Sequence, residues 1–222
     1  MSQKSQAVMM YKLTMARSRK MICDNYGKSF WKDFKRLSNI KFQKLMSEFE
    51  DIGQSMFATN YIYAPGYVAE FTSMEKLGLS QHECDVLMLK MNEKMLTTVP
   101  KFLLHAVGKA YYQNMSKGAA NRIANRPEKI HEFDWDIDYR KTGKDTFEID
   151  IKSCGFIAYA KKYGGIHMLP GICRVDYMIS HYMNVGFSRT GTLGFGDKCC
   201  DCKYAMNGSC EWDVEKALAE WR

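Results

Sequence analysis

No stretch of this chain approaches the roughly 18 consecutive apolar residues that a membrane span requires. Its amino terminus, M-S-Q-K-S-Q-A-V-M-M-Y-K, has neither a long apolar core nor a cleavage site. A secretory signal is therefore not expected, and the chain reads as cytoplasmic with no membrane partner. Repeats and low-complexity tracts are lacking as well. Cys199, Cys200 and Cys202, with Cys210 further on, have no companion pair of Cys or His. A four-ligand zinc site normally needs two such pairs, so no metal is expected, and no cofactor either.

What the chain does contain fits an ordinary globular protein. Its 222 residues, 46% hydrophobic and 26% charged, suffice for one well-buried core. Eight cysteines without a secretion signal read as free thiols, some packed as small apolar groups and a few reactive. The net charge of +7 is unevenly spread: residues 1–44 carry eleven Lys and Arg against two Asp. These basic residues alternate with apolar ones at helical spacing, which describes a solvated helix face. No recognition motif accompanies them, so nucleic acid is not expected as a partner.

Helices are expected over residues 5–20 and 29–51, where Phe30, Phe34, Leu37, Phe42, Leu45 and Phe49 recur near the 3.6 period. Pro65-Gly66 marks a break before a helix over 67–77. Ser80 with Glu83 forms a capping-box pattern opening a helix to about Thr98. Pro100 starts another over 101–115, with His105 as a core or rim residue, and residues 116–130 serve as a polar connection. The period then changes from 3.6 to 2. Phe133, Trp135, Ile137 and Tyr139 alternate with three aspartates, and Phe147, Ile149 and Ile151 with charged residues, giving a hairpin wetted on one face. Helices over 153–163 and 170–183, strands over 185–193 and 198–204, and a helix over 211–221 complete the chain.

The fold class is thus α+β: a helical N-terminal half, then an antiparallel sheet of about four strands backed by helices. Residues 1–130 form the helical segment and 131–222 the α+β segment with the site, in one compact domain overall. The Met- and aromatic-rich helical half also suits packing against a second copy, a homodimer.

Reactive groups concentrate between Cys154 and Cys202. Cys173, Asp176, Tyr177 and Ser180 fall at i, i+3, i+4 and i+7, one face of a helix. An inward Asp176 would have its pKa raised by desolvation and suit acid–base work; alternatively it caps or pairs with Arg174 or Arg189. Ser188, Thr190 and Thr192 line one face of a strand, with Arg189 on the other. Cys154, before a helix, is placed for a depressed pKa, or is simply a small buried residue. Cys200 and Cys202 face the same way and Cys199 the other.

Taken in order, F-x-I-D-x-x-x-C (Asp150, Cys154), C-x-x-D (Cys173, Asp176), R-T-x-T-L (Arg189, Thr190, Thr192, Leu193), Gly196-Asp197 and Cys200-Asp201 resemble the L-2-amino-thiazoline-4-carboxylic acid hydrolase family. The likeness spans roughly residues 131–204; the helical half fits only in kind. Phe195 stands where a second glycine would often sit, and Cys202 replaces an aromatic. The resemblance implies a hydrolase of a non-peptide C–N bond, adding water to the C=N bond of a small cyclic carboxylate. Cys154, Cys173 or Cys200 as thiolate, or water activated by Asp176, would be the nucleophile. Arg189, Thr190, Thr192 and Asp197 would bind the small-molecule substrate. The same plan also resembles the 4-vinyl reductase-type domain, a non-enzymatic small-molecule binder in which these residues only shape a cavity.

Overall fold

The computed structural model describes residues 1–219. The first helix, α1 (Gln3–Ser47), is folded back on itself. A straight rod would hold Tyr11 and Phe42 about 46 Å apart. Their rings instead stack with centroids 3.9 Å apart, and the Tyr11 hydroxyl donates to Asn39 Oδ1 over 2.9 Å. The reversal falls at Gly27, whose φ of 87° and ψ of 163° suit only glycine. The two expected helices are these two arms, with residues 21–26 added to the first and the second ending at Ser47 rather than near Gly53.

Then follow α2 (Ala58–Tyr61), α3 (Ala64–Lys76), α4 (Gln81–Thr97) and α5 (Lys101–Ala124). Pro65-Gly66 does not break the chain as expected: Pro65 lies in the first turn of α3, where no intrahelical N–H is needed. The capping box does open α4, with Ser80 N donating to Glu83 Oε2 over 2.8 Å. Helix α5 runs on past residue 115 through the expected polar connection. Tertiary anchors explain the difference, since Ser116 and Ala119 are buried and Arg122 Nη2 donates to Asp134 Oδ2 over 2.7 Å.

The strands β1 (Asp136–Lys141), β2 (Thr146–Ser153), β3 (Gly186–Ser188) and β4 (Cys200–Ala205) pair antiparallel in the order β1-β2-β4-β3. Register places Phe147 opposite Tyr204, Ile149 opposite Cys202 and Ile151 opposite Cys200, which makes one face apolar. The other face carries charge: Arg140 binds Glu148 and Asp150, and Lys152 binds Asp138. Phe133 and Trp135 precede β1 instead of lying in it, and Asp134, expected on the wet face, is buried against Arg122.

Between β2 and β3 lies α6 (Gly155–Tyr163), ended by Gly164 at φ 78°. The single helix expected over 170–183 is two, α7 (Leu169–Ile172) and α8 (Val175–Tyr182), after a 3₁₀ turn at Ile166–Met168. Its break has a visible cause. The Cys173 carbonyl accepts from the Arg189 guanidinium, while Tyr177 N turns to Arg174 O over 3.1 Å. The expected strand over 185–193 stops at Ser188, for reasons given below. Helix α9 (Val214–Ala219) closes the description, and the expected end of that helix at Trp221 lies outside the described residues. No helix among the described residues is long and apolar enough to cross a membrane.

Candidate active site

The apolar face of the sheet and the helices packed over it enclose a cavity of about 670 Å³. Ile149, Ile151, Cys200 and Tyr204 form its floor, and Asp176, Met178 and Ile179 of α8 one wall. The helical half supplies the rest, including Tyr63, Tyr67, Met95, Tyr111 and Met115. Five expected site residues meet here: Cys154, Cys173, Asp176, Arg189 and Cys200 all line the same cavity. They arrive from the start of α6, the α7–α8 junction, the end of β3 and the start of β4.

Asp176 and Arg189 are paired, with Nη1 3.3 Å from Oδ2. Their environments differ. The Asp176 side chain keeps 42% of its surface accessible and that of Arg189 only 3%. Because Asp176 lies deep in the protein, its accessible surface is surface turned toward the cavity. Burial pushes its carboxyl above the usual range, and Arg189 pulls it part of the way back. Arg189 is occupied elsewhere: besides Asp176 it donates to the Cys173 carbonyl, and its guanidinium lies against the rings of Tyr177 and Phe187. Tyr177 hydroxyl donates to Arg189 O over 3.1 Å, fixing the backbone at that point.

None of the three thiols is activated. Cys154 caps α6, yet burial pushes its pKa up to about 11, outweighing the amides of Ile157 and Phe156. This corrects the expectation that the helix start would depress it. Burial raises Cys173 strongly despite nearby Arg189, and raises Cys200 despite the Leu193 amide that donates to its sulfur over 3.2 Å. Packing positions these groups tightly: a Cβ at Gly155 would lie 2.1 Å from Phe133 O, and one at Gly194 2.9 Å from Cys173 Sγ. Ser180, expected on the face shared with Cys173 and Asp176, donates instead to Asp176 O over 2.6 Å and lies 2.6 Å from the Tyr112 hydroxyl.

Thr190, Thr192 and Asp197 do not line the cavity. The Thr190 hydroxyl donates to Asp201 Oδ2 over 2.5 Å, and Thr190 N and Gly191 N both donate to Asp201 Oδ1, over 2.9 and 2.5 Å. Thr192 N donates to Asp197 Oδ2 over 2.7 Å. Two carboxylates thus take the amides that a partner strand would have taken, which is why β3 ends early. Cys199 is half-buried while Cys200 and Cys202 are buried, as their alternation required. All eight cysteines are free thiols, and no three His, Cys, Asp or Glu side chains among the described residues could hold a metal ion together. His105 is exposed at the rim of a separate small hollow.

The helical half's share of the wall was not foreseen. Tyr67 hydroxyl donates to Asn92 Oδ1 over 2.5 Å, and both residues line the cavity. One signal was available: Asn92 is a polar residue on the buried, mainly apolar face of α4. Tyr63, Met95 and Met115 gave none, because an apolar residue facing a cavity has the same helical period as one facing a core.

The fold and site define a helix-capped antiparallel sheet enclosing a cavity lined by one carboxylate–guanidinium pair. The chain belongs to the L-2-amino-thiazoline-4-carboxylic acid hydrolase family, whose model matches residues 8–204. The match takes in the helical half, which the motifs alone covered only in kind. No curated protein matches the chain. The solved Fe(II) unliganded H-NOX protein from K. algicida is 10% identical, with 90% of this chain and 98% of that chain covered and a TM-score of 0.30, too low to establish a shared fold.

Proposed function

We propose that the chain is a hydrolase that adds water to the C=N bond of a small cyclic carboxylate of the thiazoline type its family is named for. What supports this reading is the convergence of Asp176, Arg189, Cys154, Cys173 and Cys200 on one cavity from four separate elements. The raised thiols favour water over a cysteine thiolate as nucleophile, since a thiol must ionise before it attacks. In the proposed step Asp176 takes a proton from water as its oxygen bonds to the ring carbon between sulfur and nitrogen. The C=N electron pair moves to the ring nitrogen, which takes the proton from Asp176. Collapse of the tetrahedral carbon to C=O then breaks the ring C–S bond, and the hydroxyl proton passes by way of Asp176 to the departing sulfur. The product is an N-carbamoyl-cysteine, and no redox partner is required.

Arg189 serves in this scheme as a positioning residue, pulling the Asp176 carboxyl part of the way back from the rise that burial causes; its burial argues against the expected role of gripping a substrate carboxylate. Thr190, Thr192, Asp197 and Asp201 are assigned to shaping the loop that carries Arg189. A second reading, a binding domain without turnover, is favoured by the size and apolar lining of the cavity. The two separate in one experiment. Protein is incubated with 2-amino-thiazoline-4-carboxylate, and new thiol is measured in the low-molecular-weight filtrate. Thiol release that Asp176→Asn abolishes is the expected result. Saturable binding without thiol release would overturn the hydrolase reading in favour of the binding domain.

A further inference from the structure

The cavity is much larger than the molecule in the family's description. At water's liquid share of about 30 Å³ per molecule, its 670 Å³ is room for roughly twenty waters. An amino-thiazoline carboxylate, with about nine non-hydrogen atoms, fills less than half of that by the same measure. The surplus space is bounded by Met56, Phe57, Met95, Met115, Phe156 and Ile179, side chains that cannot hold ordered water well. Against this apolar wall stands a single accessible charge. Asp176 turns its carboxylate to the cavity, and Oδ1 has no donor among the described residues, whereas Oδ2 faces Arg189. Arg189 is covered, so an anionic ligand group would find no open cation in the cavity.

We infer that the site takes a ligand of about twenty non-hydrogen atoms, with a hydrogen-bond-donating amine or cyclic amidine head on Asp176 Oδ1 and a large apolar body along the methionines and aromatics. This rests on reading the cavity as the substrate site, not on hydrolysis. For the proposed reaction it means a cyclic amidine or aminothiazoline bearing a bulky apolar substituent. The amino-substituted C=N edge, as donor, meets the carboxylate and so lies beside the group that moves protons.

The test is a calorimetric titration of the full chain with n-alkylamidines of four to twelve carbons, kept below micellar concentrations, and with n-alkanoates of the same lengths. Affinity for the amidines should rise about fourfold per methylene until the cavity is filled. At equal length the amidine should bind at least about tenfold more tightly than the alkanoate. Asp176→Asn should remove that head-group preference and keep the length dependence. Met115→Trp, which fills part of the apolar space, should shorten the optimal chain; an unchanged optimum overturns the apolar-body half. Affinity independent of chain length overturns the apolar-body half, and tighter binding of alkanoates overturns the head-group half. If Asp176→Asn does not fold, the wild-type comparison of the two series still decides the matter. Turnover of the bare thiazoline carboxylate with a flat amidine series leaves the hydrolase reading standing and this inference overturned; a steep series with no thiol release from any aminothiazoline does the reverse.

Discussion

Arg189 and Asp176 form an ion pair in which the cation is largely covered behind the anion: 3.3 Å separates them, and the Asp176 side chain is 42% accessible where that of Arg189 is 3%. The guanidinium also holds the Cys173 carbonyl, so one side chain fixes both the acid and the helix break that presents it. Lysine cannot make both contacts as a fork. Arg189→Lys should therefore leave Asp176 with a higher pKa, because the charge that pulled it down is weakened. If Asp176 works as a base, the acidic limb of the rate–pH profile moves to higher pH in Arg189→Lys. A purely structural arginine would lower the melting temperature and leave that limb in place. Asp176→Asn should cost about 10²–10⁴ in rate, the usual contribution of a general acid–base group.

The thiols give a second test. A pKa near 11 for Cys154, against 9.0 for an unperturbed thiol, leaves about a hundredth of the ordinary thiolate at pH 8. Alkylation of Cys154 by iodoacetamide in the folded protein should therefore run about a hundredfold slower than that of a free cysteine. Cys154→Ser, Cys173→Ser and Cys200→Ser should each keep hydrolysis within about tenfold of wild type, since water attack needs none of them. Loss of several orders of magnitude in one variant alone would restore covalent catalysis.

Much of this was legible in the sequence, and the failures share a cause. The alternation of Phe147, Ile149 and Ile151 with charge, and the Ser80–Glu83 cap, are local signals, and local hydrogen bonds and burial honoured them. Thr190 and Thr192 have the period and β-branching of a strand, but the amides of Thr190, Gly191 and Thr192 are taken by Asp201 and Asp197. The helix expected through Cys173 is likewise broken by Arg189, sixteen residues on. Cys154 reads as a helix-start thiol, but the burial that raises its pKa comes from packing no neighbouring residue reveals. Partners distant in sequence leave no periodic trace.

Glu70 predicts an unusual dependence of stability on pH. It sits on α3, 1% exposed, with the Tyr11 and Tyr67 hydroxyls of α1 and α3 in its field and no cation among the influences on it. Burial pushes its pKa from 4.5 to about 8. Between those values the folded state binds the proton that the unfolded chain has released, so Glu70's contribution to stability falls as pH rises from 4.5 toward 8. The loss should be on the order of a few kcal/mol. Glu70→Gln, of the same shape, should flatten the pH dependence of urea unfolding over that window and be the more stable protein at pH 8.5. An unchanged slope would mean that another group carries the proton.

Asp201 predicts the opposite sign. Burial would raise its pKa, but the Thr190 hydroxyl and the amides of Gly191 and Thr190 prevail and hold it below the usual carboxylate value. Its support of the loop is therefore complete above the unfolded pKa, near 3.9, and is lost as pH falls through the lower folded value. Asp201→Asn removes that support at every pH, because an amide has one acceptor oxygen where the carboxylate has two and sets N–H groups against donors already there. At about 0.5–1.5 kcal/mol for a hydrogen bond lost at an exposed to part-buried site, the melting temperature should drop by a few degrees in a chain of this size. Arg189 directly precedes the freed residues, so the variant should also weaken the pairing of Arg189 with Asp176. The rate–pH profile of Asp201→Asn should then shift its acidic limb in the same direction as Arg189→Lys, by a smaller amount. A melting loss without that shift would confine Asp201 to the stability of the loop.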